Sequence, residues 1–362
     1  MRRFFGDRSI TLYASGTAAL ARALSRCTAR ASVNAPEVVI PAYGCPDLIA
    51  ACMHAAVSPR LVDVASSGWS YDLDELLPNL SSRTVAIISV NLLGIADQTP
   101  GLLDLCKSRS ITLIQDSAQF LPRQPTEWPG DYVILSFGRG KPLNLLHGGA
   151  LIEPADAVAS PVSHPARAHV RDRLLNSSLA AMAFNFLTRP YPYGIVSRMP
   201  GSAFGRVVYE PLRRPLPVPQ SNWARVNRAF QQYQRKQSYD RRIWTPAVAE
   251  WASFGIRTLL PIGSFLEPEP LRLTLLAPDR ASRDTLLHQL SRAHLGAARL
   301  YGTDLTQVTG VPACVRDQGP FPNATALADT LFTLPTHSLV TPRIVQQTVD
   351  CVRDWYRSRS GV

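Results

Sequence analysis

Three stretches of this chain hold residue types that could do chemistry together. The first is Ser15-Gly16-Thr17, where small residues lead into the run TAALARALSRCTA (17–29). Free backbone N–H groups at a helix amino end attract phosphate, although an ordinary helix cap has the same pattern. The second is Asp116-Ser117-Ala118-Gln119, directly after the apolar run ITLIQ. A carboxylate at the end of a buried strand is costly unless a cation or hydrogen-bond donors meet it. It could cap a helix, bind Mg²⁺ or pair with a protonated ring nitrogen. The third is SFGRGK (136–141), after the apolar run YVIL. Lys141 is one of three lysines among 38 basic residues, the others being Lys107 and Lys236. Arginine matches its charge but does not readily give up a proton to become an amine nucleophile.

The Gly-Arg-Gly-Lys piece does not meet the pattern of a nucleotide phosphate loop. Leu135 stands where a glycine is required, and Pro142 follows the lysine where a Ser or Thr would hold Mg²⁺. Taken together, the three stretches fit pyridoxal phosphate. That cofactor needs a lysine to form a Schiff base, an acid to keep its pyridine nitrogen protonated, and a cup of small residues for its phosphate.

The elements that must carry these residues follow from the hydrophobic pattern. Short apolar runs are EVVIP (37–41), PRLVDV (59–64), TVAIISVN (84–91), ITLIQD (111–116) and YVILSF (132–137). Helical patterns at 17–29, 46–56, 72–80 and 99–108 alternate with most of them. Continuous apolar strands separated by amphipathic helices predict an α/β fold with a mainly parallel sheet covered on both faces. Ligands in such sheets sit beyond the carboxyl ends of the strands, where Asp116 and Ser136 fall. From 155 to 220 the chain turns Pro- and Arg-rich, with an uncharged apolar stretch at 174–188 and the run RPYPYG (189–194). A helix is expected over 221–243, then α/β signals at 256–262, 271–278, 281–294, 332–337 and 343–359. The expected division is a large unit over 1–240, holding 155–220 as a divergent insertion, and a smaller α/β unit over 241–362.

Composition narrows the function classes. The net charge of +11 is spread along the whole chain, and no nucleic-acid-binding motif is present. An anionic small substrate or an acidic carrier protein suits that charge. The six cysteines form no C-x-x-C pair, which argues for a reduced, cytoplasmic protein without a metal site. The amino terminus lacks the apolar core of a signal peptide. The apolar stretch at 174–188 falls short of the ~20 residues needed to span a bilayer, so no stable membrane insertion is expected.

The sequence resembles the DegT/StrS family of sugar aminotransferases, pyridoxal-phosphate enzymes of fold type I. The pieces that carry the resemblance are SGTAAL (15–20), VVIPAYGCPDLIAA (38–51), LVDV (61–64), RTVAIISVNLLG (83–94), IQDSAQ (114–119), SFGRGKPLNLLHGGAL (136–151) and FPNATALADTLFTLPTHSLVTP (321–342). The resemblance implies a mainly parallel seven-stranded sheet flanked by helices, a smaller carboxy-terminal α/β unit, and a homodimer. It also implies that Lys141 forms the Schiff base and shuttles the proton, that Asp116 pairs with the pyridine nitrogen, and that Gln119 reaches the ring hydroxyl. Gly16, Thr17 and Ser136 would hold the phosphate. A lysine at 141, where a related group of dehydratases has histidine, points to amino transfer.

Departures fall where relatives hold their substrate. An aromatic ring is expected four residues beyond Pro41, yet that position is Cys45, which leaves Tyr43 as a replacement. The family's "VH-x-x-G" reads VNLLG with Asn91, and no N-Y-R segment is present. Arg139 is a candidate for a substrate carboxylate or phosphate, and His147 a candidate substrate contact. His337 reads as a turn cap, and Tyr191 and Tyr193 as surface packing. The implied reaction moves an amino group from an amino acid, glutamate foremost, to a nucleotide-linked keto-sugar by a ping-pong route. A non-sugar or carrier-bound ketone of secondary metabolism is the alternative.

Overall fold

The computed structural model describes residues 1, 4–31, 33–155, 207–213, 218, 222–236, 239–259 and 270–360. The apolar stretch at 174–188, the RPYPYG run with Tyr191 and Tyr193, and most of the 155–220 insertion lie outside them.

Uniformly apolar strands demand cover on both faces, and the chain supplies it. Strand β1 (Ser9–Tyr13) is followed by helix α1 (Gly16–Arg30), β2 (Glu37–Pro41), α2 (Asp47–His54), β3 (Ser58–Val62), α3 (Leu73–Leu76), β4 (Thr84–Val90), α4 (Leu102–Ser108), β5 (Thr112–Asp116), β6 (Tyr132–Ser136) and β7 (Gly149–Glu153). Every residue of β4 is buried, as expected for a strand inside a two-sided sheet. The seven strands lie in the order β1-β7-β6-β5-β4-β2-β3. Five of them, β3, β2, β4, β5 and β6, pair in parallel, while β7 runs antiparallel to both β6 and β1. Strands β1 and β7 had no counterpart among the runs picked out by pattern, and they complete the seven.

Helix α1 begins where expected. Ser15 is its N-cap, accepting at 3.1 Å from the Ala18 N–H, and Ala18, Ala19, Leu20, Ala23 and Leu24 are buried against the sheet. Near its carboxyl end Arg26 forms a buried ion pair with Glu153 of β7 at 2.9 Å, tying the helix to the sheet.

After the insertion comes a helix at Trp223–Arg235, shorter than the 221–243 pattern. Asp240 caps a separate turn, Arg241–Trp244. A second, antiparallel sheet has the order β10-β9-β8, with β8 at Arg257–Thr258, β9 at Arg272–Leu276 and β10 at Leu331–Pro335. It packs with the helices Arg280–Arg292 and Pro342–Ser360 around the buried Trp244, Trp251 and Trp355.

The segment from 301 to 331 returns to the first core, where Tyr301, Leu305, Val315 and Leu327 are buried among residues of α1, β2 and β4. Leu305 donates its N–H to the Ala42 carbonyl at 2.8 Å. The Asp63 carboxylate, just past β3, accepts from the Asn323 and Ala324 N–H groups at 2.9 and 2.8 Å, capping the helix Pro322–Thr330 from outside it. No helix among the described residues is long and apolar enough to cross a membrane.

Candidate active site

A cavity of about 270 Å³ opens at the carboxyl ends of β4, β5 and β6, against the amino end of α1. Gly16, Thr17, Cys45, Asp116, Gln119, Ser136, Lys141 and His147 all line it. Residues spread over more than 130 positions of sequence thus meet in one place. The topology explains why. Parallel strands end on the same side, and the loops after them converge there.

The phosphate-like corner is built from glycines that cannot be larger. A Cβ on Gly16 would lie 2.9 Å from Ser136 Cβ and 3.3 Å from its hydroxyl, so the amino end of α1 rests directly on the end of β6. A Cβ on Gly149 would lie 2.5 Å from the Gly16 nitrogen and 2.6 Å from the Ser15 carbonyl carbon, so β7 passes the helix only as glycine. Ser15 satisfies the Ala18 N–H, and the N–H groups of the first turn ahead of it have no intrahelical acceptor. The Thr17 hydroxyl is already engaged, donating to the Asp47 carboxylate at 2.9 Å. The donors offered to an anion at this corner are therefore the backbone groups and Ser136. Asp47 also lines the cavity, and its type gave no signal in the sequence because it reads as the first residue of a helix.

Asp116 ends β5, and its Oδ1 accepts from the Ala118 N–H at 3.0 Å. Burial pushes its carboxyl above the usual carboxylate range, with the Asp47 charge acting in the same direction. The Ala118 N–H and the Lys141 ammonium oppose them. Lys141 follows a turn in which Gly140 takes a left-handed backbone (φ 71°), and its N–H donates to the Gly138 carbonyl at 3.4 Å.

The Gln119 amide is held at both ends. Its Oε1 accepts from the Leu93 N–H at 3.1 Å, and its Nε2 donates to the Tyr301 hydroxyl at 3.3 Å. Asn91 lines the cavity but is occupied internally. It donates to the Ser117 hydroxyl at 2.7 Å and accepts from the Asp97 N–H at 2.8 Å, fixing the loop after β4.

Two sequence candidates fall elsewhere. Tyr43 is fully buried and does not line the cavity. Its hydroxyl bonds the backbone of Tyr301, and its ring packs edge-on against the Tyr301 ring at 5.5 Å. The expected replacement ring thus points into the core, because the chain turns inward after Pro41 to meet the 301 segment. Arg139 is exposed on the turn before Lys141 and is not part of the lining. His337 accepts from the Leu339 N–H at 3.3 Å in a turn. Tyr301, absent from every motif, lines the cavity instead. Nothing local to its sequence marks it.

A model of the DegT/DnrJ/EryC1/StrS aminotransferase family matches residues 1–256. Among curated proteins, the chain is 30% identical over 150 residues to UDP-N-acetyl-3-dehydro-alpha-D-glucosamine 3-aminotransferase of Acidithiobacillus ferrooxidans, covering 40% of this chain and 39% of that protein. The chain spans between 34% and 42% of the length of the curated relatives it matches. Among solved structures, 3-amino-5-hydroxybenzoic acid synthase superposes with a TM-score of 0.68 at 17% identity, covering 98% of this chain and 88% of that one. PseC of Helicobacter pylori, an aminotransferase involved in the biosynthesis of pseudoaminic acid, gives 0.68 at 16% identity, with 98% and 89% covered. At these identities the structures speak to the fold.

Proposed function

The chain belongs to the DegT/DnrJ/EryC1/StrS aminotransferase family, and from that premise we propose that it is a pyridoxal-phosphate-dependent aminotransferase. It takes an amino group from an amino acid, glutamate foremost, and delivers it to the ketone of a nucleotide-linked sugar. The observation that carries this reading is the lining of a single cavity by Lys141 and Asp116, with Ser136 and the amino end of α1 at its edge. The donor set fits the cofactor. An anion finds backbone N–H groups and a hydroxyl where Gly16 and Ser136 touch, a ring nitrogen finds the carboxylate of Asp116, and an aldehyde finds a primary amine.

When bound, pyridoxal phosphate supplies an aldehyde that exchanges amino groups and a ring that withdraws electrons from the substrate carbon. The protein does the rest. Asp116 holds a proton on the ring nitrogen, and a cationic partner there offsets the cost of its buried charge. Lys141 Nζ would hold the aldehyde carbon and move a proton to and from the substrate. Gly16 and Ser136 would hold the phosphate. His147 lines the cavity and is exposed, and would meet substrate. In a homodimer a second copy would close the cavity from outside.

The test is amino transfer itself. Purified protein, pyridoxal phosphate, glutamate and a UDP- or GDP-linked keto-sugar are combined, and the amino-sugar product is measured by mass. Lys141→Ala should lower the rate on the order of 10²–10⁴-fold or more while the protein stays folded. Transfer by Lys141→Ala at the parent rate would overturn the reading.

A further inference from the structure

The position four residues beyond Pro41 carries Cys45, so the cavity lacks the ring expected there. Tyr301 is the one Phe, Tyr or Trp among the described residues that lines it. Its position is tightly set. The Tyr43 hydroxyl donates to the Tyr301 carbonyl and accepts from the Tyr301 N–H, each at 3.3 Å, and Tyr43 itself is buried. The Tyr301 side chain is buried too, at 7% exposure, and its hydroxyl lies beside the Cys45 thiol. Burial, then the neighbouring Cys45, Tyr43 and Asp116 groups, hold that hydroxyl well above the usual phenol range, so it keeps its proton.

The hydroxyl meets Gln119, and a third residue fixes which end of that amide faces it. Leu93 is buried with a left-handed backbone (φ 53°). Its carbonyl accepts from the Leu271 N–H at 2.7 Å, and its own N–H needs an acceptor. Gln119 Oε1 meets that need at 3.1 Å, which turns Nε2 toward Tyr301 at 3.3 Å. One amide N–H goes to the Tyr301 oxygen. The second has no partner among the described residues and is available to a ligand in the cavity.

We propose that Tyr301 is a positioning residue of this site: its hydroxyl aims the free N–H of Gln119 at the cofactor, and its ring supplies the aromatic wall that Cys45 does not. The proposal rests on the reading that the cavity binds pyridoxal phosphate. It assigns a role to a residue 182 positions from its partner, on a segment that no cofactor motif covers.

The experiment is a four-protein cycle: parent, Tyr301→Phe, Gln119→Ala and the double variant. Cofactor-free protein of each is titrated with pyridoxal phosphate and followed by absorbance to give a dissociation constant. Tyr301→Phe keeps the ring and its edge contact with Tyr43, so it tests the hydroxyl alone. It should weaken binding about 2- to 10-fold in the parent, the usual worth of one hydrogen bond, and change nothing in the Gln119→Ala background. Tyr301→Leu, which also removes the ring, should weaken binding further, and should do so in either background. An equal effect of Tyr301→Phe in both backgrounds, or none in the parent, would overturn the proposal while leaving the cofactor reading intact. Absence of any binding by the parent would overturn that reading and the proposal with it.

Discussion

Replacing Asp116 with asparagine should strengthen the cofactor-free protein and weaken the loaded one. Among the described residues the carboxylate has one hydrogen bond, from the Ala118 N–H at 3.0 Å, and burial raises its pKa. A raised folded-state pKa means that this group favours folding below its unfolded value of about 3.9, and that the contribution is lost as pH rises through the folded value. At pH 8 the buried charge is a net cost. Asparagine keeps an acceptor for Ala118 and removes the charge. Asp116 is half-buried at the wall of the cavity, and the asparagine amide brings donors of its own, so Asp116→Asn should stabilise the cofactor-free protein by no more than about 1 kcal/mol at pH 8, and by nothing near pH 3. Binding moves the other way. A hydrogen bond to a charged group is worth about 1.5–3 kcal/mol, so affinity for pyridoxal phosphate should fall roughly 10- to 150-fold. Urea unfolding of cofactor-free protein at both pH values, with a cofactor titration, measures both arms. A variant that is less stable at pH 8, or that binds the cofactor as the parent does, refutes the reasoning.

Three further outcomes follow from the packing. Gly149→Ala puts a methyl group 2.5 Å from the Gly16 nitrogen, against backbone that cannot yield, and should cost about 3 kcal/mol or more in urea unfolding. Gly16→Ala meets the Ser136 side chain at 2.9 Å; it should cost about 1–3 kcal/mol and weaken cofactor binding by opening the phosphate corner. Arg26→Ala leaves the carboxylate of Glu153, at 1% exposure, without its ion-pair partner and should destabilise the fold by about 3–5 kcal/mol, readable by chemical denaturation.

What the sequence disclosed of the site depended on distance along the chain. Asp116, Ser136 and Lys141 were legible because each sits at or just after an uninterrupted apolar strand, where a polar residue needs a reason. Strand β1 is hard to read because the polar Ser9 and Thr11 interrupt its short apolar run, and β7 because it starts in a glycine pair that reads as a turn. Tyr43 sits on the side of its loop away from the cavity: two residues after the strand, pattern alone does not say which face a ring takes. Tyr301 was invisible for a stronger reason. Its place at the cavity comes from contacts with Ala42, Tyr43 and Asp63 made by the whole 301–331 segment, and no local spacing encodes a partnership across so many residues. Asp47 was hidden by its helix. Only the fold brings its carboxylate to Thr17.

The most direct measurement uses the scarcity of lysine. Protein loaded with pyridoxal phosphate is reduced with borohydride, digested and examined by peptide mass spectrometry. With only Lys107, Lys141 and Lys236 in the chain, the pyridoxyl mass should appear on the peptide holding Lys141 and vanish in Lys141→Ala. A label on Lys107 or Lys236, or no label at all, would contradict the account.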